Sequence, residues 1–374
     1  MLQIQEVKSR SELRQFVRFP FQLYKNNPYW APPLIADEIR TLSPESNPAF
    51  DESEALLLLA KKDGQTVGRI AGIINHFENE QMGRLHARFG WLDFIDDRRV
   101  SKALLEAVEQ WARKKNMRCL KGPEGFTNLD RAGMLTWGFD KPSTFITLYN
   151  YPYYPEHLEA LGFEKEVDWV EYEIPVPKQI PEKINKLADL IQKRYGLQSI
   201  HLRKKKELKE YREAFSDLLV DTYKELHDFV PFTPRQIEWY IDQFMDVLEP
   251  DLICLIKDAE ERPIAFGIAM PSLTRAAQKA RGRLFPFGFL HFLYALKFSK
   301  KADLLLVGIR PEWRNKGLNA LIFREMLSRF IARGITTAES NPELEDNHRV
   351  QNMWRKYQPK LIKKRRIFIK GLSV

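Results

Sequence analysis

One stretch of this chain combines the features of a phosphate-binding turn. Residues 307–319 read VGIRPEWRNKGLN, an apolar strand followed by a basic, glycine-containing turn and then directly by an amphipathic helix. Backbone N–H groups at a helix start have no partner inside the helix and lie at the positive end of its dipole, so they bind anions. Gly317 lets the chain approach a ligand closely, and Arg314 and Lys316 add positive charge. The stretch therefore predicts a site for an anion such as a phosphate.

The neighbouring pattern supplies the elements that would position this turn. A strand is predicted at residues 304–309, and a further strand at residues 335–339. Between them, apolar residues recur with a period of about 3.6, which indicates a helix that ends at Gly334. The recurring apolar positions are Leu318, Leu321, Ile322, Met326, Phe330 and Ile331.

The same order of elements occurs in both halves of the chain: a hairpin, a strand, a helix and a strand. In the first half these elements are predicted at residues 56–61 with 66–74, 89–94, 100–111 and 117–121. Asp63-Gly64 is a favoured pair for the tight turn of the first hairpin. In the second half the hairpin is predicted at residues 252–257 with 263–270. The repeat is one of architecture, because the two halves do not share a repeated amino-acid sequence.

Length and composition indicate a globular protein of two domains. The 374 residues are 44% hydrophobic, which is enough to bury two cores. Three prolines within residues 174–181 interrupt the pattern and predict an interdomain linker. We therefore divide the chain into an N-terminal domain at residues 1–175, a linker with the start of the second domain at 176–200, and a C-terminal domain at 201–374.

Other features bear on location and ligands. The net charge of +9 suits an anionic ligand, although it equally suits nucleic acid or an anionic membrane. The seven histidines are scattered without metal-binding spacing, so we expect no metal site. Residues 1–16 lack the pattern of a secretory signal, and Cys119 and Cys254 are interpreted as free, buried thiols. We therefore expect a cytoplasmic protein.

The order of elements around residues 314–319 resembles the GNAT superfamily of acyl-CoA-dependent N-acyltransferases, whose pyrophosphate loop reads Arg/Gln-x-x-Gly-x-Gly/Ala. Arg314 and Gly317 match this motif, whereas Asn319 replaces the usual small residue. The resemblance implies an α+β fold of two tandem GNAT-like domains, each with a central mixed β-sheet flanked by helices. The whole chain also resembles a group of uncharacterised bacterial tandem-GNAT proteins of about this length, through residues 19–34, 138–140, 282–288 and 344–347.

The resemblance also implies a cofactor site, with acetyl-CoA or another acyl-CoA as the cosubstrate. In this family the strand before the loop pairs its backbone with the pantetheine arm, a role that falls by position to Val307, Gly308 and Ile309. The loop holds the pyrophosphate, and its residues here are Arg314, Asn315, Lys316, Gly317, Leu318 and Asn319. Asn347 begins the segment beyond the next strand and completes the expected cofactor residues.

The corresponding turn of the first half does not keep the motif. Residues 96–101 read DDRRVS and contain no glycine. Two aspartates at a helix start complement the dipole themselves and repel a pyrophosphate. We therefore expect the first half not to bind CoA.

Acyl transfer from a thioester to an amine requires a base that removes the proton of the amine and an acid that protonates the leaving thiolate. Glu339 ends the strand after the cofactor helix and is our candidate base, although a glutamate at a strand end can equally be solvated. Many members of the family use a tyrosine after the position of Asn347, where this chain has Trp354. Tyr357 lies three residues further on and is our candidate acid, with packing at a helix end as its alternative role.

An aromatic segment with basic flanks, residues 281–301, allows two interpretations. Residues 284–298 could rest on an anionic membrane as a peripheral element or receive an acyl chain. Alternatively, the segment is a helix that is apolar all round because it is buried between the domains, and we favour this interpretation. The basic run at residues 360–370 is interpreted as a turn and a final strand with solvated charges, so nucleic-acid binding is not expected.

These observations favour an acyl-CoA-dependent N-acyltransferase, with acetyl-CoA as the preferred donor and an unidentified amine as the acceptor. The first alternative is a catalytically silent tandem fold that binds a ligand or partner, because Asn319 and Trp354 depart from the family pattern. The second is a transferase that uses aminoacyl-tRNA, since tandem versions of this fold also serve peptidoglycan-bridge synthesis. It would require a long basic groove, for which only residues 201–206 and 360–370 are candidates.

Overall fold

The computed structural model of the protein describes residues 1–223, 232–245, 247–347, 351 and 355–372. In chain order the strands are β1 (Leu2–Glu6), β2 (Ser53–Lys62), β3 (Gln65–Asn75), β4 (His86–Phe94), β5 (Cys119–Gly122), β6 (Met134–Trp137), β7 (Glu164–Pro175), β8 (Gln198–His201), β9 (Ile253–Lys257), β10 (Pro263–Pro271), β11 (Lys301–Ile309), β12 (Thr337–Glu339), β13 (Glu343–Leu344) and β14 (Lys360–Gly371). The helices are α1 (Arg10–Leu23), α2 (Ile35–Thr41), α3 (His76–Met82), α4 (Arg98–Lys114), α5 (Tyr153–Ala160), α6 (Glu182–Tyr195), α7 (Lys205–Glu210), α8 (Arg212–Tyr223), α9 (Pro234–Met245), α10 (Thr274–Ala280), α11 (Gly288–Phe298) and α12 (Leu318–Arg333). Of the helices in these described ranges, none is both long and apolar enough to cross a membrane.

The chain forms two compact units. Unit 1 consists of Met1–Val170, Thr274–His291 and Lys363–Val374, and unit 2 consists of Glu171–Leu273 and Phe292–Ile362. Two later segments thus belong with the first part of the chain. We placed domain boundaries at residues 175 and 200 from the order of elements along the sequence. These boundaries remain a prediction.

Unit 1 is built on a mixed sheet. Strands β1, β2, β3 and β4 pair antiparallel in that order, β5 joins β4 in parallel, and β14 pairs antiparallel with β5. The predicted first hairpin is present as β2 and β3. Its turn uses left-handed backbone at Asp63 (φ 51°) and Gly64 (φ 81°), which a tight two-residue turn requires. The prediction of this hairpin is confirmed.

Helix α4 packs directly on this sheet. Its predicted apolar residues Val100, Leu104 and Val108 are fully buried. Strand β3 has glycines where the helix comes closest, since a Cβ at Gly68 would lie 2.8 Å from Leu104 Cδ1 and one at Gly72 would lie 2.9 Å from Val108 Cγ1. The small residues on the strand therefore make room for the large residues on the helix.

A polar cluster is buried at the end of β4. Arg69 Nε donates to Asp93 Oδ2 at 2.8 Å, and Arg69 Nη1 donates to the carbonyl of Phe16 at 3.0 Å. The hydroxyl of Tyr24 donates to Asp93 Oδ1 at 3.0 Å and lies 2.9 Å from the hydroxyl of Tyr154. Burial raises the pKa of Asp93, and the charge of Arg69 opposes this rise. The guanidinium is therefore what stabilises a charged carboxylate at this buried position.

Arg69→Met is expected to lower the free energy of unfolding by about 3–5 kcal/mol, because it leaves the carboxylate of Asp93 buried without its cation. Chemical denaturation followed by circular dichroism measures the change. The double variant Arg69→Met/Asp93→Leu should recover part of the lost stability, since it also removes the buried carboxylate that has no cation. A loss of less than about 1 kcal/mol in the single variant would show that the pair behaves like a solvated surface pair, against this expectation.

The strands of unit 2 also pair in a mixed arrangement. Strands β8, β9, β10 and β11 pair antiparallel in that order, β12 pairs with β11 in parallel, and residues 173–175 of β7 pair antiparallel with β12. The second predicted hairpin is present as β9 and β10. The order hairpin, strand, helix, parallel strand therefore recurs as β2–β3–β4–α4–β5 and as β9–β10–β11–α12–β12. This recurrence confirms the predicted repeat of architecture.

Helix α12 covers the strands of unit 2 with its predicted apolar stripe. Its buried members are Leu318, Leu321, Ile322, Met326 and Phe330. Ile322 fits over Gly267 of β10, where a Cβ would lie 3.0 Å from Ile322 Cγ2. The helix ends at Gly334, whose left-handed backbone (φ 64°) closes the last turn. Each unit thus joins a mixed β-sheet to flanking helices, which confirms the predicted α+β class.

Helix α11 departs from the packing that we favoured from the sequence. We expected residues 284–298 to be buried on all sides, and Phe292 is indeed only 6% exposed. Six large apolar side chains of the segment are instead between 50% and 78% exposed, namely Phe285, Phe287, Leu290, Leu293, Tyr294 and Phe298. We expected burial because residues 284–298 are almost uniformly apolar. An apolar helix is buried, however, only where neighbouring elements cover it.

Candidate functional site

The turn between β11 and α12 has a backbone suited to binding an anion. A short 3-10 helix at Pro311–Trp313 follows β11, and the backbone is then left-handed at Asn315 (φ 62°) and at Gly317 (φ 84°). Gly317 is the N-cap residue of α12, and no described side chain caps this helix. Left-handed residues interspersed with ordinary ones form concave arrangements of amides that bind anions. The fold thus places the predicted turn at the positive end of the α12 dipole.

The amides at the start of α12 and at the end of the preceding turn have no hydrogen-bond acceptor in the part of the chain that the structure describes. They are the N–H groups of Lys316, Gly317, Leu318 and Asn319. The amide of Ala320 is the next one along, and it donates to the carbonyl of Gly317 at 2.9 Å. Phosphate oxygens would satisfy such amides.

Gly317 is required at this position for two reasons. Its φ of 84° is strained for any residue with a side chain. A Cβ at this position would also lie 2.6 Å from Ile191 Cδ1 on α6. Helix α6 therefore backs the turn closely, and a larger residue would displace the backbone of the turn.

The two basic side chains of the turn, Arg314 and Lys316, make different contacts. Arg314 Nη2 donates to the carbonyl of Thr222 at 3.1 Å, and Arg314 Nε donates to the carbonyl of Ile309 at 3.4 Å. The guanidinium therefore ties the turn to the end of α8 and to β11. Lys316 lies with its Nζ 4.4 Å from the ring centre of Trp313. Within residues 310–319 the exposed side chains are Glu312, Asn315, Lys316 and Asn319, and Glu312 accepts from Arg262 Nη2 at 3.1 Å.

Strand β11 is bulged and is only partly covered by β12. Its pairing with β10 shifts by one residue at Leu305. Strand β12 pairs with it only at residues 301–303. The carbonyl of Leu305 accepts from Asn341 Nδ2 at 3.3 Å. Bulges of this kind re-aim strands and are common next to active sites.

The residues predicted to pair with a pantetheine arm lie on the section of β11 beyond this bulge. Val307, Gly308 and Ile309 pair with Gly267, Phe266 and Ala265 of β10, respectively. The carbonyl of Val307 also accepts from the hydroxyl of Tyr223 at 3.2 Å. No strand among the described residues pairs with the opposite edge of this section. A ligand that pairs with that edge would take the place of a neighbouring strand.

Glu339 lies in a row of carboxylates at the point where β11 and β12 part. Asp303 of β11 lies beside Glu339 of β12, which in turn lies beside Glu173 of β7. Asp303 and Glu339 are each 2% exposed. The ammonium of Lys301 forms an ion pair with Glu339 and lies 3.7 Å from Glu173 Oε2. Glu339 is therefore buried and held by a lysine, and it is not a solvated residue at a strand end.

Sequence reasoning missed Lys301 and Asp303. Burial lowers the pKa of Lys301, but the neighbouring carboxylates, Glu339 first, outweigh this effect and raise that pKa above its ordinary value. Lys301 is therefore a cation at neutral pH. A signal was available in the sequence, since Lys301-Ala302-Asp303 places two charges at the start of an apolar strand. Charges on a buried strand are costly unless they are paired.

Tyr357, the candidate acid, packs on α12. Its ring stacks on Phe323 with the ring centres 5.9 Å apart. Its hydroxyl is buried without a hydrogen-bond partner in the described part of the chain, and burial raises its pKa, so the hydroxyl keeps its proton at neutral pH. The carbonyl of Asn347 accepts from the amide of Gln351 at 3.2 Å. Trp354 lies outside the described residues.

The corresponding turn of unit 1 is closed by its own side chain. Asp97 is the N-cap of α4 and accepts from the amide of Arg99 at 3.0 Å. Hydrogen bonding to the side chain of Arg99 lowers the pKa of Asp97 to about 2. A carboxylate thus already occupies this helix end. The arrangement supports the expectation that this turn does not bind CoA, which stays a prediction.

A serine, a histidine and an aspartate also meet in unit 1. Ser101 Oγ lies 2.9 Å from His157 Nδ1, and His157 Nε2 lies 3.1 Å from Asp96 Oδ1. A catalytic serine must be reached by substrate, and its aspartate is normally buried. Here Ser101 is 1% exposed, whereas the side chain of Asp96 is 68% exposed. The burial is reversed, so these residues tie α4 to α5 and do not form a nucleophile.

Known proteins are similar to this chain in sequence or in fold. No protein-family model matches the chain. Protein YghO of Escherichia coli K12 is 30% identical in an alignment of 372 positions, which covers 97% of this chain and 94% of that protein. The bacterial ceramide synthase of Caulobacter vibrioides is 28% identical over 84% of this chain and 82% of that protein. Among solved structures, a tandem GNAT protein from the clavulanic acid biosynthesis pathway aligns with 100% of this chain and 99% of its own, with a TM-score of 0.58 at 13% identity.

These similarities support conclusions at two levels. The solved structure has low sequence identity and therefore concerns the fold, for which it confirms the predicted tandem GNAT arrangement. The similarity to protein YghO extends over nearly the whole of both chains. The chain thus has the tandem fold of the GNAT superfamily and belongs to the same family as protein YghO of Escherichia coli.

Proposed function

We propose that the protein is an acyl-CoA-dependent N-acyltransferase whose donor binds in unit 2. The observation that carries this proposal is a set of amides at the start of α12 that have no acceptor among the described residues. They follow strand β11, one edge of which pairs with no described strand beyond Asp303. The amides suit the pyrophosphate of CoA. The strand edge suits the amide groups of pantetheine, since an extended chain can pair with it like an added strand.

The length of β11 is consistent with this placement. About six residues of strand separate Ile309 from Asp303, a distance of about 20 Å. That distance is of the same order as an extended pantetheine arm. A CoA with its pyrophosphate at the turn would therefore bring its thioester toward the carboxylates of Asp303 and Glu339.

The proposed reaction uses Glu339 as the base and Tyr357 as the acid. The amine nitrogen attacks the thioester carbonyl, so that a C–N bond forms and the C–S bond breaks. Glu339 takes the proton from the nitrogen, and the hydroxyl of Tyr357 gives its proton to the leaving thiolate, which yields an amide and free CoA. Lys301 holds the carboxylate of Glu339 in position.

Two pairings of an acyl donor with an amine acceptor are compared. Acetyl-CoA remains the donor that we propose first, with a small amine as the acceptor. One relative is a bacterial ceramide synthase, and ceramide formation joins a fatty acyl group to the amine of a long-chain amino alcohol. A long-chain amino alcohol with a long-chain acyl-CoA is therefore the second pairing that we propose to test.

Release of the CoA thiol, with mass spectrometry of the product, tests the proposed function. Acetyl-CoA and a long-chain acyl-CoA are each offered with water-soluble amines and with a long-chain amino alcohol. We expect an amide and an equal amount of free CoA in at least one pairing. If the protein does not bind CoA in calorimetry, the proposal fails and a catalytically silent fold is favoured. An amide formed only from aminoacyl-tRNA would instead support the second alternative.

A further inference from the structure

Helix α11 presents an apolar face to solvent. Leu290, Leu293, Tyr294, Lys297 and Phe298 are all exposed, and their spacing places them on one face of the helix. A surface helix normally turns its polar face to water. Here Lys297 is the only polar residue of the exposed face. Because one continuous helix carries all of these side chains, the helix geometry itself places them together.

The turn before α11 extends this face with two aromatic rings. Phe285 and Phe287 are 78% and 70% exposed. Together with the exposed residues of α11 they form what we call the α11 face, which consists of Phe285, Phe287, Leu290, Leu293, Tyr294, Lys297 and Phe298. Exposed groups of large apolar side chains mark interaction surfaces.

The surroundings of the α11 face are strongly basic. Residues 274–302 contain seven basic residues and no acidic residue, whereas the whole chain has a net charge of +9. The basic residues are Arg275, Lys279, Arg281, Arg283, Lys297, Lys300 and Lys301. All of them except Lys301 are exposed and form no ion pair with a residue in the described ranges. Positive charge around an apolar face suits a partner that is apolar and anionic.

An open hollow adjoins the start of α11. Its volume is about 560 Å³. The residues that line it are Arg275, Gln278, Lys279, Arg281 and His291. Three cationic side chains around one hollow are suited to an anionic group such as a lipid phosphate.

We propose that the α11 face is a docking surface for an anionic membrane, with its apolar side chains among the lipids and the basic hollow on an anionic head group. Peripheral membrane helices combine these features, because buried aromatic and aliphatic area and attraction to anionic lipids both add to binding. A second copy of this chain is a poorer partner, because a symmetric contact would bring the same basic residues together. The proposal does not rest on the proposed transferase activity.

Sedimentation of the full chain with vesicles tests the proposal. Vesicles of phosphatidylcholine alone are compared with vesicles of equal parts phosphatidylcholine and phosphatidylglycerol. We expect binding to the anionic vesicles that weakens with salt, and little binding to the neutral ones. Phe285→Gln/Phe287→Gln should lower the partition coefficient by about tenfold or more. Arg281→Gln/Arg283→Gln should lower it by about tenfold to thirtyfold on anionic vesicles.

A matched control is available on α6, where Leu190 is 62% exposed, close to the 57% of Leu293. Leu293→Gln should weaken binding to anionic vesicles, and Leu190→Gln should leave it unchanged. Circular dichroism of each variant confirms that it is folded. Three results would each overturn the proposal. They are equal binding to both vesicles, equal binding by wild type and the Phe285→Gln/Phe287→Gln variant, and a dimer that Leu293→Gln dissociates without any change in vesicle binding.

Discussion

Gly317→Glu is expected to weaken CoA binding about 100-fold or more in calorimetry, because the new carboxylate would lie at the amides that receive the pyrophosphate. Loss of two hydrogen bonds to a charged group, at about 1.5–3 kcal/mol each, corresponds to at least this factor. The substitution also strains a left-handed residue with φ 84° and places a Cβ 2.6 Å from Ile191 Cδ1. The added charge and the backbone strain therefore both weaken CoA binding.

Two further variants separate these causes. Gly317→Gln introduces a similar volume and the same strain without the charge, so its effect on CoA binding should be smaller than that of Gly317→Glu. Gly64→Glu introduces the same charge at a similar backbone angle, φ 81°, in the first hairpin, where no atom lies within 4 Å of the added Cβ. It should leave CoA binding unchanged. Wild-type affinity in Gly317→Glu would show that the turn before α12 is not the CoA site.

Glu339→Gln is expected to lower kcat by about 10²–10⁴-fold, which is the usual contribution of a general base. The KM for the acyl-CoA should change little, because the proposed pyrophosphate and pantetheine contacts lie elsewhere on β11 and the turn. Glutamine keeps the shape of the side chain but cannot accept a proton. Steady-state kinetics with the best donor and acceptor pair measures both constants.

Glu173 offers a control in the same row of carboxylates. It also lies near Lys301, but its side chain is 45% exposed, and Glu173→Gln should change kcat less than about threefold. Asp303→Asn tests the neighbouring buried carboxylate. A large loss of kcat in Asp303→Asn together with a small loss in Glu339→Gln would show that the base had been assigned to the wrong residue.

Much of the fold could be predicted because it rests on local patterns. The hairpin turn at Asp63-Gly64 follows from the few residues that accept left-handed backbone. The helix after Gly317 follows from a period of about 3.6 and from the glycine at its end. The anion-binding turn follows from strand, glycine and helix in succession. Each of these features depends on residues close together in the sequence.

The candidate site was less predictable because its parts meet across strands. Glu339 could be chosen from its place at a strand end, but its partner Lys301 lies on a different strand, before the intervening helix α12. Asp303 became a candidate only through the register of β11 with β12. The bulge at Leu305 likewise follows from pairing with β10. No spacing along the chain indicates such contacts.

The sequence by itself thus determined the order of elements, the turn around Gly317 and the absence of that turn's motif in the first half. Tertiary structure decided which charges meet Glu339 and which side of α11 is covered. The physical reason is that backbone conformation depends mainly on neighbouring residues, whereas burial and ion pairing depend on what packs alongside. An apolar helix such as α11 shows no polar face in its sequence. Only its neighbours decide that Phe292 is buried while Phe298 is exposed to solvent.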